Sequence, residues 1–199
     1  MEHFLEALGY ALGAVILLIL KYIFDVIVKK VRKDTVSLNF RKSISITAKI
    51  NEELSTIRDV YSFNRVSLID HHNGTESFKG LSFKNASMRN EVVDNRTKNI
   101  ITEFQNIPCS IIAEMLMDLE ASQEGYIIAT DEGDSATAIT HKMYGVKIAY
   151  NFKIGKDLTE GVVSMVFTDT SNHLTKEEII EIKAHIQKIR LLRTNKVNF

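Results

Sequence analysis

From Val146 to Ile189 the chain reads VKIAYNFKIGKDLTEGVVSMVFTDTSNHLTKEEIIEIKAHIQKI. Val146 to Ile154 alternates apolar and polar residues at the period of two that marks a strand, and Gly161 to Thr168 (GVVSMVFT) reads as a second strand. Thr175-Lys-Glu-Glu178 is a capping box, in which the threonine oxygen and the glutamate three residues on satisfy the free N–H groups of a helix start. Ile179, Ile182, Ile186 and Ile189 then recur at helical spacing.

Upstream, Tyr126 to Thr130 (YIIAT) is a third strand, Asp131 to Asp134 a loop, and Ser135 to Tyr144 a short helix or connecting segment. Pro108 suits the start of a helix, where its missing N–H is harmless, and Ile111, Ile112, Met115, Leu116 and Leu119 give that helix an apolar face. Ile100, Ile101 and Phe104 predict another short helix. Arg65 to His72 reads as a strand with Val66, Leu68 and Asp70 facing opposite to Ser67, Ile69 and His71. Asn73-Gly74 supplies a turn, and Phe78 to Phe83 is the expected returning strand. Before these, Ile46, Ile50, Leu54, Ile57 and Tyr61 form a stripe for a helix of about five turns, packed on a sheet or on a partner's copy. Strands grouped in two sets, with helices before, between and after, predict an α+β fold: an antiparallel sheet flanked by helices.

A long first helix, a two-strand ladder, an inserted helical section, a three-strand meander and a closing helix resemble a GAF domain, or more loosely the GAF/PAS type of sensor fold. The similarity spans about residues 41–193 and rests mostly on Val146 to Ile189, where a strand leads through a loop to a glycine-initiated strand and then a threonine-capped helix. The resemblance implies a domain that binds a cyclic nucleotide, a tetrapyrrole, a small metabolite, or only another copy. It also implies that the strand ending at His72 borders the ligand cavity. Fold alone does not decide among these ligands.

Leu5 to Val28 (LEALGYALGAVILLILKYIFDVIV) has a different character, with no charge from Ala7 to Leu20. Its 24 residues make about 36 Å of helix, enough to cross a hydrocarbon core of about 30 Å. Lys21 and Asp25, four apart, share one helix face and can pair. Glu2 and Glu6 argue against a cleaved signal peptide, which would begin with Lys or Arg. Lys29, Lys30, Arg32 and Lys33 follow the apolar run, so the positive-inside rule puts the N-terminus outside and residues 34–199 in the cytoplasm. The expected organisation is a single-pass membrane helix with its basic flank over residues 1–33, then the GAF-like domain. Gly9 and Gly13 have the GxxxG spacing of a helix dimer seam. On a cytoplasmic domain the N-x-S/T triplets at Asn73, Asn85 and Asn95 are chance matches.

Composition excludes several classes. Twenty-five Lys+Arg against 25 Asp+Glu give zero net charge and no general attraction for nucleic acid, so none is expected as a partner. One cysteine, Cys109, forms neither an internal disulfide nor a CxxC site. No GxSxG, HExxH, Walker or GxGxxG pattern is present, and no catalytic residue is expected. Cys109, before a helix, is either a thiol of lowered pKa or a small core residue, and its apolar neighbours favour the core. His71 and His72 point to opposite faces of a strand and make no ready chelate, so no metal is expected.

The candidate ligand contacts are His72 and Asn73 at the strand end, and Ser87, Arg89 and Glu91 in the polar run expected to follow the returning strand. Arg89 suits an anionic group. Tyr126, Tyr144 and Tyr150 are further hydroxyls for such a cavity. The expected function is a non-catalytic, membrane-anchored sensor or partner-binding protein, pairing as a homodimer, its small ligand or cofactor unidentified. The alternatives are a membrane effector, holin-like or defence-associated, gated by its soluble domain, and a structural anchor that docks a protein partner.

Overall fold

The computed structural model describes residues 21–22, 24–26, 28–30, 40–72, 84–169 and 172–194. The chain divides into two compact units, Met1–Ser45 and Ile46–Phe199. In the first, the described residues 21–22, 24–26, 28–30 and 40–45 are helical. Most of Leu5 to Val28, including Gly9 and Gly13, lies outside the described residues, as does Asn73. Among the described residues no helix is long and apolar enough to cross a membrane.

The second unit begins with helix α1 (residues 46–60) and continues through β1 (Arg65–His72), β2 (Asn85–Val93), the two-residue β3 (Ile107–Pro108), a 3-10 turn (Cys109–Ile112), α2 (Ala113–Ala121) and β4 (Tyr126–Thr130). It closes with α3 (Ala136–Met143), β5 (Ile148–Lys153), a second 3-10 turn (Leu158–Glu160), β6 (Val162–Phe167) and α4 (Lys176–Thr194). The six strands form one antiparallel sheet in the order β3-β2-β1-β6-β5-β4.

Alternation decides what each face meets. Val66, Leu68, Tyr150, Phe152, Val163, Met165 and Phe167 share one core with Ile50, Leu54 and Ile57 of α1 and Ile179, Ile182, Ile186 and Ile189 of α4. The α1 stripe therefore packs on the sheet. The capping box forms as expected, Glu178 N donating to Thr175 Oγ1 at 3.2 Å and Thr175 N to Glu178 Oε2 at 2.7 Å. On the other face, Ile69, Ala86, Met88 and Val162 pack with Ile100, Phe104, Ile112, Met115 and Leu119.

Three expectations need correction. The strand returning against β1 is Asn85–Val93, whereas residues 78–83 lie outside the described residues. A bulge facing Leu68 and Ile69 leaves Arg89 the extra residue, since Leu68 pairs with Asn90 and Ile69 with Met88. Ile100 to Phe104 is a single turn, with Phe104 N donating to Ile100 O at 2.9 Å and the Glu91 carboxylate accepting from the N–H groups of Ile100 and Ile101 at its start. Pro108 precedes a 3-10 turn that runs into α2, and Ile111, expected on the apolar face, is 41% exposed.

Edge strand β4 is guarded. Lys153 N donates to Gly125 O, so by register the carbonyls of Tyr126 and Thr130 face outward. Ser122 Oγ caps the first at 2.7 Å and His141 Nδ1 the second at 3.2 Å. Such caps discourage pairing with another chain.

Candidate functional site

A polar row crosses the face opposite α1 and α4. Glu91 of β2 stands opposite Ser67 of β1, Ser67 opposite Ser164 of β6, Ser164 opposite Asn151 of β5, and Asn151 opposite Ile127 of β4. Residues opposite one another in a ladder point to the same side. Ser67, Ser164 and Asn151 are 1%, 8% and 2% exposed, so the row lies under other side chains rather than under solvent.

A cavity of about 70 Å³ lies over this row. Ile69, Met88, Phe104, Ile112 and Met115 supply its apolar wall, while Thr137, His141 and Tyr144 enter from α3 and the residue after it. Arg65, Ile100 and Tyr144 line both this cavity and an open groove of about 870 Å³ that also contains Asn64, Asp94 and Lys98.

Charge in the wall is internally compensated. Arg65 Nε lies 2.9 Å from Glu91 Oε1, and the two side chains are 4% and 0% exposed. Arg65 Nη2 donates to Lys98 O at 2.8 Å, and the Glu91 carboxylate also accepts from Ile100 N and Ile101 N. Burial pushes the Arg65 pKa down, and the Glu91 carboxylate works against that shift. His141 is likewise pushed down by burial. Because Thr130 O can only accept, His141 Nδ1 carries the proton.

Two buried groups are left over. Asn151 Nδ2 and Thr137 Oγ1, both in the cavity wall, have no hydrogen-bond partner among the described residues. Buried polar atoms are paired with protein or ordered water in the great majority of cases, so two orphans over one cavity mark a place for a bound water or a ligand.

An antiparallel sheet with its first and last helices on one face and a roofed cavity on the other is the arrangement that solved structures then identify. The fold is that of a GAF domain. The chain is similar to the phycocyanobilin-bound GAF domain from a cyanobacterial phytochrome, with a TM-score of 0.62 at 13% identity over 81% of this chain and 91% of that one. It is similar to the blue-light absorbing form of the Thermosynechococcus elongatus PixJ GAF domain (0.59, 10%, 77% and 88%) and to the GAF domain/HD domain protein from Geobacter sulfurreducens (0.57, 11%, 77% and 95%). No protein-family profile and no curated protein matches the chain.

Within this GAF fold the expected contacts separate. His72, Ser87 and Arg89 come together, but toward the α4 face: His72 Nε2 is 2.8 Å from Ser87 Oγ, and Arg89 pairs with Asp70, which also meets Arg193 of α4 at 2.7 Å. They line an open depression with Thr159, away from the cavity over the polar row. Ser87 Oγ also accepts from Asn106 N, and Arg89, expected to hold an anion, is paired with an aspartate. Glu91 is on the cavity side of the sheet but does not line the cavity: its side chain is fully buried against Arg65, which does. The reason for the separation is the β2 bulge, which changes which residues share a face between Met88 and Asn90.

Of the three tyrosines, Tyr144 lines the cavity. Tyr150 is in the opposite core, its hydroxyl accepting from Leu174 N at 3.1 Å, and Tyr126 stacks on Phe152 with centroids 5.0 Å apart. Burial pushes the Cys109 thiol up, consistent with a packed residue rather than a reactive one. Arg65, Ser67, Asn151, Ser164 and Thr137 were not legible as a site from motifs. Their signal is a lone polar residue near the centre of each of three apolar strands: RVSLI, YNF and VSM.

Proposed function

We propose that the chain is a non-catalytic sensor that takes a small ligand in the cavity over Ser67, Ser164 and Asn151, held at the membrane by Leu5 to Val28 with its domain in the cytoplasm. The observation that carries this reading is the pair of orphaned buried atoms, Asn151 Nδ2 and Thr137 Oγ1, in one cavity wall. The phytochrome neighbour binds phycocyanobilin. A cavity of about 70 Å³ is far too small for a tetrapyrrole, and a small metabolite fits this chain better.

Signalling is assigned to pairing of α1 and α4 between two copies. Val60, Ile180 and Leu191, 61%, 67% and 54% exposed, put apolar surface on those helices outside the sheet core. Arg193–Asp70 at 2.7 Å and the Arg190–Glu160 fork, both bonds 2.7 Å, tie the end of α4 to β1 and to the turn before β6. Occupancy changes pairing only if ligand affinity differs between the two arrangements.

The test is thermal melting of the detergent-purified full-length chain against small metabolites, cyclic nucleotides and linear tetrapyrroles. A ligand at 100 times its dissociation constant adds about 2.7 kcal/mol of stability. A rise with a small metabolite that disappears in Ser164→Leu, which fills the cavity, is expected. No rise across the panel, together with a more stable Ser164→Leu, overturns the sensor reading. Recovery of the chain in salt-washed membranes is expected, and a soluble chain overturns the anchor.

A further inference from the structure

The cavity is selective by what it already contains. Its wall has a cation paired with a buried anion behind it, a histidine whose Nδ1 proton is committed to Thr130 O, and two neutral hydrogen-bonding groups with no partner among the described residues. Resting on the small-ligand reading above, we infer that the ligand is an uncharged molecule with a short carbon body and one carbonyl or hydroxyl acceptor, which receives the Asn151 amide while Thr137 bonds the same polar end.

Three observations converge on that chemistry. The Arg65–Glu91 pair, with side chains 4% and 0% exposed, holds its two charges 2.9 Å apart, with Arg65 Nη2 also on Lys98 O and the Glu91 carboxylate also on the N–H groups of Ile100 and Ile101. An anion drawn to Arg65 meets the Glu91 carboxylate already 2.9 Å from the same guanidinium, and a cation drawn to Glu91 meets Arg65. A charged ligand entering between them brings a third charge into a buried wall with no counter-charge free for it.

Asn151 Nδ2 can only donate, so the group facing it must accept. Thr137 Oγ1 donates or accepts and therefore tolerates either atom of an amide, a hydroxyl or a carbonyl. Asn151 is 2% exposed and Thr137 8%, so neither is served by bulk solvent.

Ile69, Met88, Phe104, Ile112 and Met115 form the rest of the wall, which asks for carbon. Scaled from a cavity of about 150 Å³ that holds the six carbons of benzene, the space of about 70 Å³ fits roughly three non-hydrogen atoms. A short primary amide has this size and pattern.

Acetamide, acetate and ethylammonium share a two-carbon body and differ in charge, so they are the probes. Each is titrated to tens of millimolar against the full-length chain in detergent, reading the melting temperature and the 1H-13C methyl signals of Met88 and Met115. The expected result is a saturable rise with acetamide, shifts of both methionine methyls, and loss of at least three quarters of the rise in Asn151→Leu. Thr137→Val, a smaller change, is expected to lose at least half and stands in if Asn151→Leu does not fold.

An equal or larger saturable effect from acetate or ethylammonium overturns the uncharged class and leaves the small-ligand reading standing. An acetamide effect retained in both variants places binding elsewhere and overturns the assignment of these residues. No effect from any of the three probes on the wild-type chain overturns the inference, whereas the small-ligand reading falls only if the broader panel also gives no rise and Ser164→Leu is more stable.

Discussion

Arg65, in the wall of the cavity, and Glu91 form a diagonal pair across neighbouring strands, guanidinium to carboxylate 2.9 Å. Removing one member of a buried pair strands the other, at a cost of about 3–5 kcal/mol, while replacing both with apolar residues is often neutral. Glu91→Ala should therefore destabilise by that amount in urea unfolding, and it also frees the N–H groups of Ile100 and Ile101. Arg65→Met combined with Glu91→Leu should recover most of the loss. A single substitution as mild as a surface change would show that the pair does not form.

The start of α4 offers a simpler measurement. Thr175 Oγ1 accepts from Glu178 N, and Glu178 reaches back to Thr175 N. Thr175→Ala removes one arm of this box and should cost about 1 kcal/mol in the same unfolding assay. Thr175→Ser should cost less than half as much, since the oxygen remains.

Gly161, between the second 3-10 turn and β6, has φ 98° and ψ −176°, a region essentially closed to residues with a Cβ. A Cβ there would also come within 2.7 Å of Ile69 O, a backbone atom beside the cavity. Gly161→Ala should cost at least about 1–3 kcal/mol. Because the backbone of β1 must give way, the Arg193–Asp70 contact should loosen too, seen as faster amide exchange in the last turn of α4.

How far the sequence reveals this molecule depends on which signal each element carries. Ile50, Leu54 and Ile57, and the four isoleucines of α4, face one core because a helix repeats at 3.6 residues, and that period is visible without the fold. The strands of the second half are legible by alternation to within two residues at each end. The β2 strand is not: NASMRNEVV mixes small and polar residues, and its bulge at Arg89 breaks the alternation. That one extra residue sends Glu91 to the cavity side of the sheet while Ser87 and Arg89 meet His72 and Asp70 toward the α4 face. The polar row was invisible for another reason. Ser67, Ser164 and Asn151 are far apart in the chain and carry no motif, and only strand order and register bring them together.

Acid should unfold the protein in two steps, each with an identifiable group. His71 is held below the ordinary imidazole value of 6.5 by burial, with its Nδ1 2.9 Å from Leu158 O, and His141 is lowered for the same reason. Below pH 6.5 the unfolded chain takes up protons that the folded imidazoles do not, so stability present above that pH is lost as pH falls toward the folded values. Asp94 acts lower down. Hydrogen bonding from Thr97 is the largest effect, with Asn64 and the Arg96 and Thr97 N–H groups adding to it, and together they hold its carboxyl at about 2 instead of 3.8. Its stabilisation is complete above pH 3.8 and lost as pH falls through about 2. Urea midpoints measured from pH 8 to pH 2 should fall in both windows. His71→Gln with His141→Gln should flatten the upper one, since an amide donates to the same carbonyls without titrating, and Asp94→Asn should flatten only the lower. An upper step that persists in the double histidine variant would leave the two buried imidazoles without a part in acid stability.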